Sequence, residues 1–148
     1  EAGSHMGRIM AVLAGSAAPM AAFESWASKL PNLMELVEAA KQSGRGIIPK
    51  VSAVGSFAEA LDIAVKTDLP LFMYETGDRV ELKEAIESAG EIGSAAIITG
   101  PEGGFEPYEA ELASKVGIKL CAMGPRILRC ETAPVAALTA LMYATGNL

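Results

Sequence analysis

Two short segments of this chain combine residue types that could bind a ligand or an anion. The first has three glycines in five residues, 100–104 (GPEGG), and we call it the glycine loop. Glycine lets a ligand approach the backbone closely and meet exposed N–H groups. The loop lacks the G-x-x-x-x-G-K-[ST] and G-x-G-x-x-G patterns of phosphate-binding loops. A plain tight turn between a strand and a helix is therefore the alternative from the residues alone.

The second segment, residues 123–132 (MGPRILRCET), is the arginine loop, in which two arginines interrupt a largely apolar stretch. Guanidinium groups bind phosphate through paired hydrogen bonds, so Arg126 and Arg129 suit an anionic partner. Salt bridges to Glu102 or Glu131 would be the structural alternative. Such pairs would hold the loop together without binding a ligand.

Ile127 and Leu128 lie between the two arginines and have no evident role on a solvated surface. They would suit the wall of a pocket for adenine or another flat apolar ligand. Burial in the core is the commoner fate of such side chains. The residues alone leave both alternatives open.

Apolar blocks alternate with helical patterns along the chain. Strands are predicted at residues 9–14, 46–54, 69–74, 94–99 and 119–123, and helices at 21–43, 56–66, 80–89, 107–116 and 132–144. Pro31 would kink or divide the first helix. This alternation indicates an α/β domain with a largely parallel sheet and helices on both faces. Ligands of such sheets bind beyond the carboxyl ends of the strands, where both loops fall.

Length and composition indicate one globular domain. Residues 1–6 are interpreted as an expression-tag remnant, which leaves residues 7–148 as the domain. A hydrophobic content of 51% excludes intrinsic disorder. No apolar run approaches the roughly 18 residues that cross a bilayer, so we expect no membrane span. The last predicted helix is apolar on all sides, which favours a homodimer.

Histidine and cysteine are too scarce for a zinc site. His5, in the tag remnant, is the only histidine, and Cys121 and Cys130 are the only cysteines. Four Cys or His ligands cannot be assembled within one chain, and histidine-based catalysis is excluded. We expect two free thiols rather than a disulfide, as in a reducing cytoplasm.

The charge distribution is uneven. A net charge of −6 argues against a nucleic-acid binder that relies on its own basic surface. Residues 39–58 and 112–130 nevertheless carry lysines and arginines without any acidic residue. These two windows are either statistical clumping on the surface or binding faces for an anion.

Three ordered motifs resemble one family. Residues 98–105 (ITGPEGGF) and 123–133 (MGPRILRCETA) are similar to the Gly-Pro-Glu-Gly-Gly and Leu-Gly-x-Arg-Ile-Leu-Arg-x-Glu-Thr-Ala signatures of the RsmE ribosomal RNA methyltransferases, which belong to the SPOUT superfamily. Residues 38–45 (EAAKQSGR) resemble the family's Glu-Ala-x-x-Gln-Ser-x-Arg stretch. The resemblance extends over residues 26–148. It implies a SPOUT-type fold with a C-terminal trefoil knot.

The resemblance also implies a cofactor, S-adenosylmethionine, held between the two loops without any metal. The residues expected to bind it are Thr99, Gly100, Gly103 and Gly104 on one side and Met123, Gly124, Ile127 and Leu128 on the other.

The activity implied by the family is methylation of N3 of a uridine in small-subunit ribosomal RNA, by a cytoplasmic homodimer. Arg45 and Arg126 would then bind the RNA. Glu131 and Arg129 would serve catalysis, with Arg129 also able to hold RNA. A carboxylate that only stabilises a helix N-terminus is the alternative for Glu131.

Two departures from the family pattern concern the N-terminal part. The resemblance implies an N-terminal barrel-like RNA-binding domain, to which we expect no part of residues 7–148 to correspond, and residues 6–20 are short and unusual for the first strand and helix. We therefore expect weak activity from this domain alone. The alternatives are a SPOUT methyltransferase for another RNA position and a non-catalytic knotted module for dimerisation or RNA binding.

Overall fold

The computed structural model describes residues 8–13, 38, 41–42 and 56–147. The chain divides into two units, residues 1–16 with 56–148 and residues 17–55. In the second unit, the described residues 38, 41 and 42 are helical, as predicted, and Lys41 Nζ lies 3.0 Å from Glu38 Oε1. The rest of the predicted helix 21–43 and the predicted strand 46–54 lie outside the described residues.

The first unit is built on a five-stranded sheet in which every described pair of strands is parallel. The strands are β1 (Arg8–Leu13), β2 (Leu69–Met73), β3 (Val80–Glu81), β4 (Ser94–Thr99) and β5 (Lys119–Ala122). Their spatial order is β1-β4-β2-β5-β3. In the centre, Leu71 is in register with Ile97 of β4 and with Lys119 of β5. The predicted parallel α/β fold is confirmed.

Four described helices accompany the sheet: α1 (Phe57–Ala64), α2 (Leu82–Glu87), α3 (Pro107–Lys115) and α4 (Thr132–Ala144). Helix α1 begins directly after Ser56, the first residue of the predicted helix 56–66. The Ser56 side chain accepts a hydrogen bond from the Glu59 N–H at 3.2 Å, and the Glu59 carboxylate accepts one from the Ser56 N–H at 3.1 Å.

The prediction of a helix over residues 80–89 is wrong for its first two residues. Val80 and Glu81 form the edge strand β3, in register with Cys121 and Ala122 of β5, and the helix occupies only Leu82–Glu87. Pairing with β5 outweighs the helical pattern of the sequence here. The β-branched Val80 also suits a strand better than a helix.

Helices cover both faces of the sheet. On one face, Leu71, Ile97 and Cys121 pack with Ile86 of α2 and Leu141 of α4 in one buried cluster. Successive strand residues point to opposite faces.

The next residue after Leu71 in β2, Phe72, is fully buried on the other face. Its ring meets the ring of Phe57 in α1 edge-on, with 6.2 Å between centroids. The fold class is thus as predicted, and the C-terminal knot stays a prediction. No helix in the described part of the chain is long and apolar enough to cross a bilayer.

Both cysteines are free thiols, as predicted. Cys121 is completely buried in β5. Burial raises the pKa of its thiol from 9.0 to about 12, with a further small rise from Glu81 and an opposing effect of Lys119. The thiol therefore stays protonated in the folded protein at pH values where an unfolded chain ionises.

We expect Cys121 to make the free energy of unfolding fall as pH rises from 9.0 towards about 12. Its folded pKa lies above its unfolded value, so its contribution is complete below the lower value. The loss reaches ~1.4 kcal/mol per pH unit. Urea unfolding of the parent and of Cys121→Ala measures the difference. Cys121→Ala is less stable but declines less steeply, and parallel declines would contradict the assignment.

Candidate functional site

A cavity of about 670 Å³ opens beyond the carboxyl ends of β2, β4 and β5. Residues of the segments that follow these three strands line it. Because β2 lies between β4 and β5 in the sheet, the glycine loop and the arginine loop meet across the end of β2. The volume is typical of small-ligand sites.

The cavity collects every described residue to which the sequence assigns a role. The residues proposed for the cofactor are Thr99, Gly100, Gly103, Gly104, Met123, Gly124, Ile127 and Leu128, and all of them line it together with Arg126, Arg129 and Glu131. Arg45 lies outside the described residues.

The glycine loop is both a tight turn and a wall of the cavity. The Gly104 N–H donates to the Pro101 carbonyl at 2.9 Å, and Gly104 has a φ of +73°, which favours glycine. A Cβ at Gly100 would lie 3.1 Å from two ring carbons of Phe105. The Phe105 ring packs on Phe72, with 4.1 Å between centroids. Core packing thus fixes where this loop backbone runs.

Thr99, the last residue of β4, carries an unpartnered polar atom. The residue is 2% exposed, and its Oγ1 has no hydrogen-bond partner among the described residues. A buried hydroxyl without a partner is costly and rare. Since Thr99 lines the cavity, a ligand with a polar atom at this point would satisfy the hydroxyl.

The arginine loop presents both of its guanidinium groups to solvent. Arg126 and Arg129 are exposed and form no ion pair with any described residue, so the alternative of salt bridges to Glu102 or Glu131 is wrong. Exposed charges gain little from pairing in water. Both arginines therefore remain available to an anion.

Burial in the core does not account for the two aliphatic residues of this loop. Ile127 is 73% exposed at the mouth of the cavity, and Leu128 is half-buried in its lining. An exposed isoleucine is stabilised when an apolar group covers it. The core alternative is thus wrong for Ile127, and the pocket interpretation accounts for both residues.

Glu131 stands at the N-cap position of α4, but its side chain makes no capping hydrogen bond. Burial raises the pKa of the neighbouring Cys130 thiol, with further rises from hydrogen bonding to the Glu131 side chain and from the charges of Glu102 and Glu131. Glu131 thus lies both at the N-terminus of α4 and in the cavity lining, so the catalytic role and the helix-stabilising alternative both stay predictions.

One wall of the cavity was not predicted. It consists of the segment after β2, including Tyr74, Glu75, Thr76 and Arg79. The Glu75 Oε2 atom would lie 3.9 Å from a Cβ at Gly104, so this segment reaches the glycine loop. The strand itself was predicted, and its carboxyl end could have indicated the wall. The position of β2 between β4 and β5 could not be read from the order of strands along the chain.

A parallel α/β sheet with two motif-bearing loops lining a cavity at its carboxyl edge is typical of domains that bind a small ligand at that edge. Residues 25–142 match the family described as RNA methyltransferase domain, and the chain belongs to that family. This confirms the resemblance found in the motifs.

Two curated relatives are similar to this chain in sequence. The chain is 39% identical over 115 residues to the ribosomal RNA small subunit methyltransferase E of Bacillus subtilis (strain 168), covering 75% of this chain and 45% of the relative. Its identity to the enzyme of the same name from Mesomycoplasma hyopneumoniae (strain 232) is 34% over 103 residues, 70% of this chain and 43% of the relative. The chain thus spans less than half the length of these relatives.

Two similar solved structures contain a bound ligand. One is a ribosomal RNA small subunit methyltransferase E from Neisseria gonorrhoeae bound to S-adenosyl methionine, with a TM-score of 0.70, 28% identity and coverage of 88% of this chain and 52% of that one. The other is a putative methyltransferase from Legionella pneumophila in complex with the cofactor SAM, with a TM-score of 0.70, 26% identity and coverage of 89% and 53%.

Proposed function

We propose that this domain binds S-adenosylmethionine in the loop cavity and methylates N3 of a uridine in small-subunit ribosomal RNA. The observation that carries the proposal is that both motif-bearing loops line one and the same cavity. The names of the relatives support the RNA substrate, and the bound ligands of the two solved structures support the cofactor.

The residues of the cavity fit this cofactor. The orphaned Thr99 hydroxyl offers a hydrogen bond, and the glycine loop offers backbone groups without side chains in the way. Met123, Ile127 and Leu128 provide apolar surface for an adenine ring. Bound S-adenosylmethionine supplies a methyl group already activated on a sulfonium, so positioning and proton removal remain for the protein.

The two exposed guanidinium groups would bind the RNA backbone. Arg126 and Arg129 stand at the cavity without ionic partners among the described residues, so phosphate would meet them with little competition. Arg45 joins them in this proposal on the strength of the motif alone. The chain as a whole is acidic, and these local cations must therefore carry the contact.

Glu131 and Arg129 are the proposed catalytic residues. Methylation of uridine N3 requires that the N3 proton leave, and the Glu131 carboxylate at the cavity wall would accept it. The Arg129 guanidinium would stabilise negative charge that develops on the uracil carbonyl oxygens.

We further propose a homodimer in the cytoplasm. Helix α4 buries only Ala137 and Leu141, whereas Val135 is 64% and Tyr143 is 78% exposed. These two side chains are eight positions apart and therefore lie on one side of the helix. A second copy of the chain that covers this side would remove the apolar surface from water.

Thr99→Val tests the cofactor. Valine keeps the shape of threonine and removes the unpaired hydroxyl, so the free energy of unfolding stays the same or rises by up to ~1 kcal/mol. The affinity for S-adenosylmethionine falls about tenfold with the lost hydrogen bond. Calorimetric titration and urea unfolding measure the two effects. Ser114→Ala, which removes an exposed hydroxyl outside the cavity, is the control and leaves the affinity unchanged. Unchanged affinity in Thr99→Val would show that this hydroxyl does not bind the cofactor.

Arg126→Ala and Arg129→Ala test the RNA contact. Each variant loses one phosphate contact, so its affinity for a small-subunit ribosomal RNA fragment falls about tenfold at low salt. The slope of log affinity against log salt concentration becomes shallower by about one. The affinity for S-adenosylmethionine changes less than about twofold. Fluorescence titrations at several salt concentrations measure this, with Lys115→Ala on α3 as the control cation. Equal losses for RNA and cofactor would make the arginines structural.

Transfer of a labelled methyl group tests the reaction itself. The protein is incubated with small ribosomal subunits that lack the modification, and the label is mapped on the RNA. We expect it at N3 of one uridine, with turnover reduced about 100-fold or more by Glu131→Gln at unchanged cofactor affinity. A label at another position favours a different SPOUT specificity. Cofactor binding without any transfer favours the non-catalytic module.

A further inference from the structure

The arginine loop is held at its entry by a residue that belongs to neither motif. The Gly124 N–H donates a hydrogen bond to Oε2 of Glu81, 43 residues earlier in the chain, at 2.9 Å. Gly124 has a φ of +72°, so the chain turns sharply at this point. Among the described residues, no second hydrogen bond of standard geometry holds residues 124–128.

The position of Glu81 follows from the edge of the sheet. Glu81 is the last residue of β3 and is in register with Ala122, two residues before Gly124. Beyond Glu81 the chain turns into α2, and the buried Leu82 holds that turn against the core. Since β3 does not continue alongside Gly124, the carboxylate of Glu81 takes the place of a strand carbonyl as the acceptor.

The Glu81 carboxylate has no competing ionic partner among the described residues. The nearby Lys83 is paired with Glu87 at 3.7 Å instead. A hydrogen bond from a backbone N–H to a carboxylate is charge-assisted and stronger than one between neutral groups. Because Glu81 is exposed, water competes with the bond. Loss of the bond should therefore make the loop open several-fold more often without unfolding the domain.

We propose that Glu81 is a positioning residue that fixes the entry of the arginine loop, and through it the cofactor-facing backbone of Met123 and Gly124. The part that concerns the cofactor rests on the proposed function. The part that concerns the order of the loop does not, because it follows from the bond between Glu81 and Gly124 alone.

Limited trypsin digestion without cofactor tests the anchor, because trypsin cleaves after Arg126 and Arg129. Glu81→Ala should be cleaved there about five- to tenfold faster than the parent. Glu81→Gln retains an acceptor oxygen and should be cleaved at nearly the parent rate. The matched control Glu84→Ala removes an exposed carboxylate three residues further on, in α2, and should also behave as the parent. Parent-like cleavage of Glu81→Ala, or no rescue by glutamine, overturns the proposal.

Amide hydrogen exchange in the unmodified protein provides a test that no folding defect can obscure. The Gly124 amide should exchange at least about tenfold more slowly than the amide of Gly103, an exposed glycine of the other loop with no amide hydrogen bond among the described residues. Equal exchange rates would overturn the anchor.

Calorimetric titration tests the link between Glu81 and the cofactor. The affinity for S-adenosylmethionine should fall about fivefold in Glu81→Ala and recover in Glu81→Gln. Parent-like affinity in Glu81→Ala overturns the link to the cofactor. If the parent itself does not bind the cofactor, the proposed function fails, and the digestion and exchange measurements still decide whether Glu81 anchors the loop.

Discussion

Parallel pairing of β2 with both β4 and β5 is the constraint on which the site depends. Parallel strands end at the same edge of a sheet, so the segments that follow Met73, Thr99 and Ala122 emerge side by side. Each segment is short and bears few internal hydrogen bonds. The cavity exists because three neighbouring strands hold these segments at fixed separations.

Aromatic packing transmits this constraint to the glycine loop. Phe72 in the central strand packs against Phe105 directly after the loop, and Phe105 in turn fills the space that a side chain at Gly100 would need. A glycine that looks like an adaptation to a ligand therefore also avoids a tight contact with the core. Gly103 differs, since nothing lies within 4 Å of a Cβ built there. The glycines of one motif are thus under different steric constraints.

Much of the fold could be predicted from local pattern. The apolar block of β4 and helix α4 were placed with their observed bounds, because a buried strand and a long apolar helix leave strong signals. The edge strand at Val80 was missed because two residues carry no periodicity and the pairing with β5 decides their conformation. For the site, the two loops were predicted. The wall after β2 and the anchor at Glu81 were not, since both depend on neighbours distant in the chain.

The sequence by itself determined the chemical groups of this domain: a loop with little side-chain bulk, two guanidinium groups between apolar residues, and strands that must be buried on both faces. It also determined the family, because the motifs are long and ordered. Only the tertiary structure decided that Arg126 and Arg129 remain without ionic partners among the described residues and that the Thr99 hydroxyl is orphaned. The physical reason is that hydrogen bonds and ion pairs depend on distances of a few ångströms, which strand order and packing set and residue types alone do not.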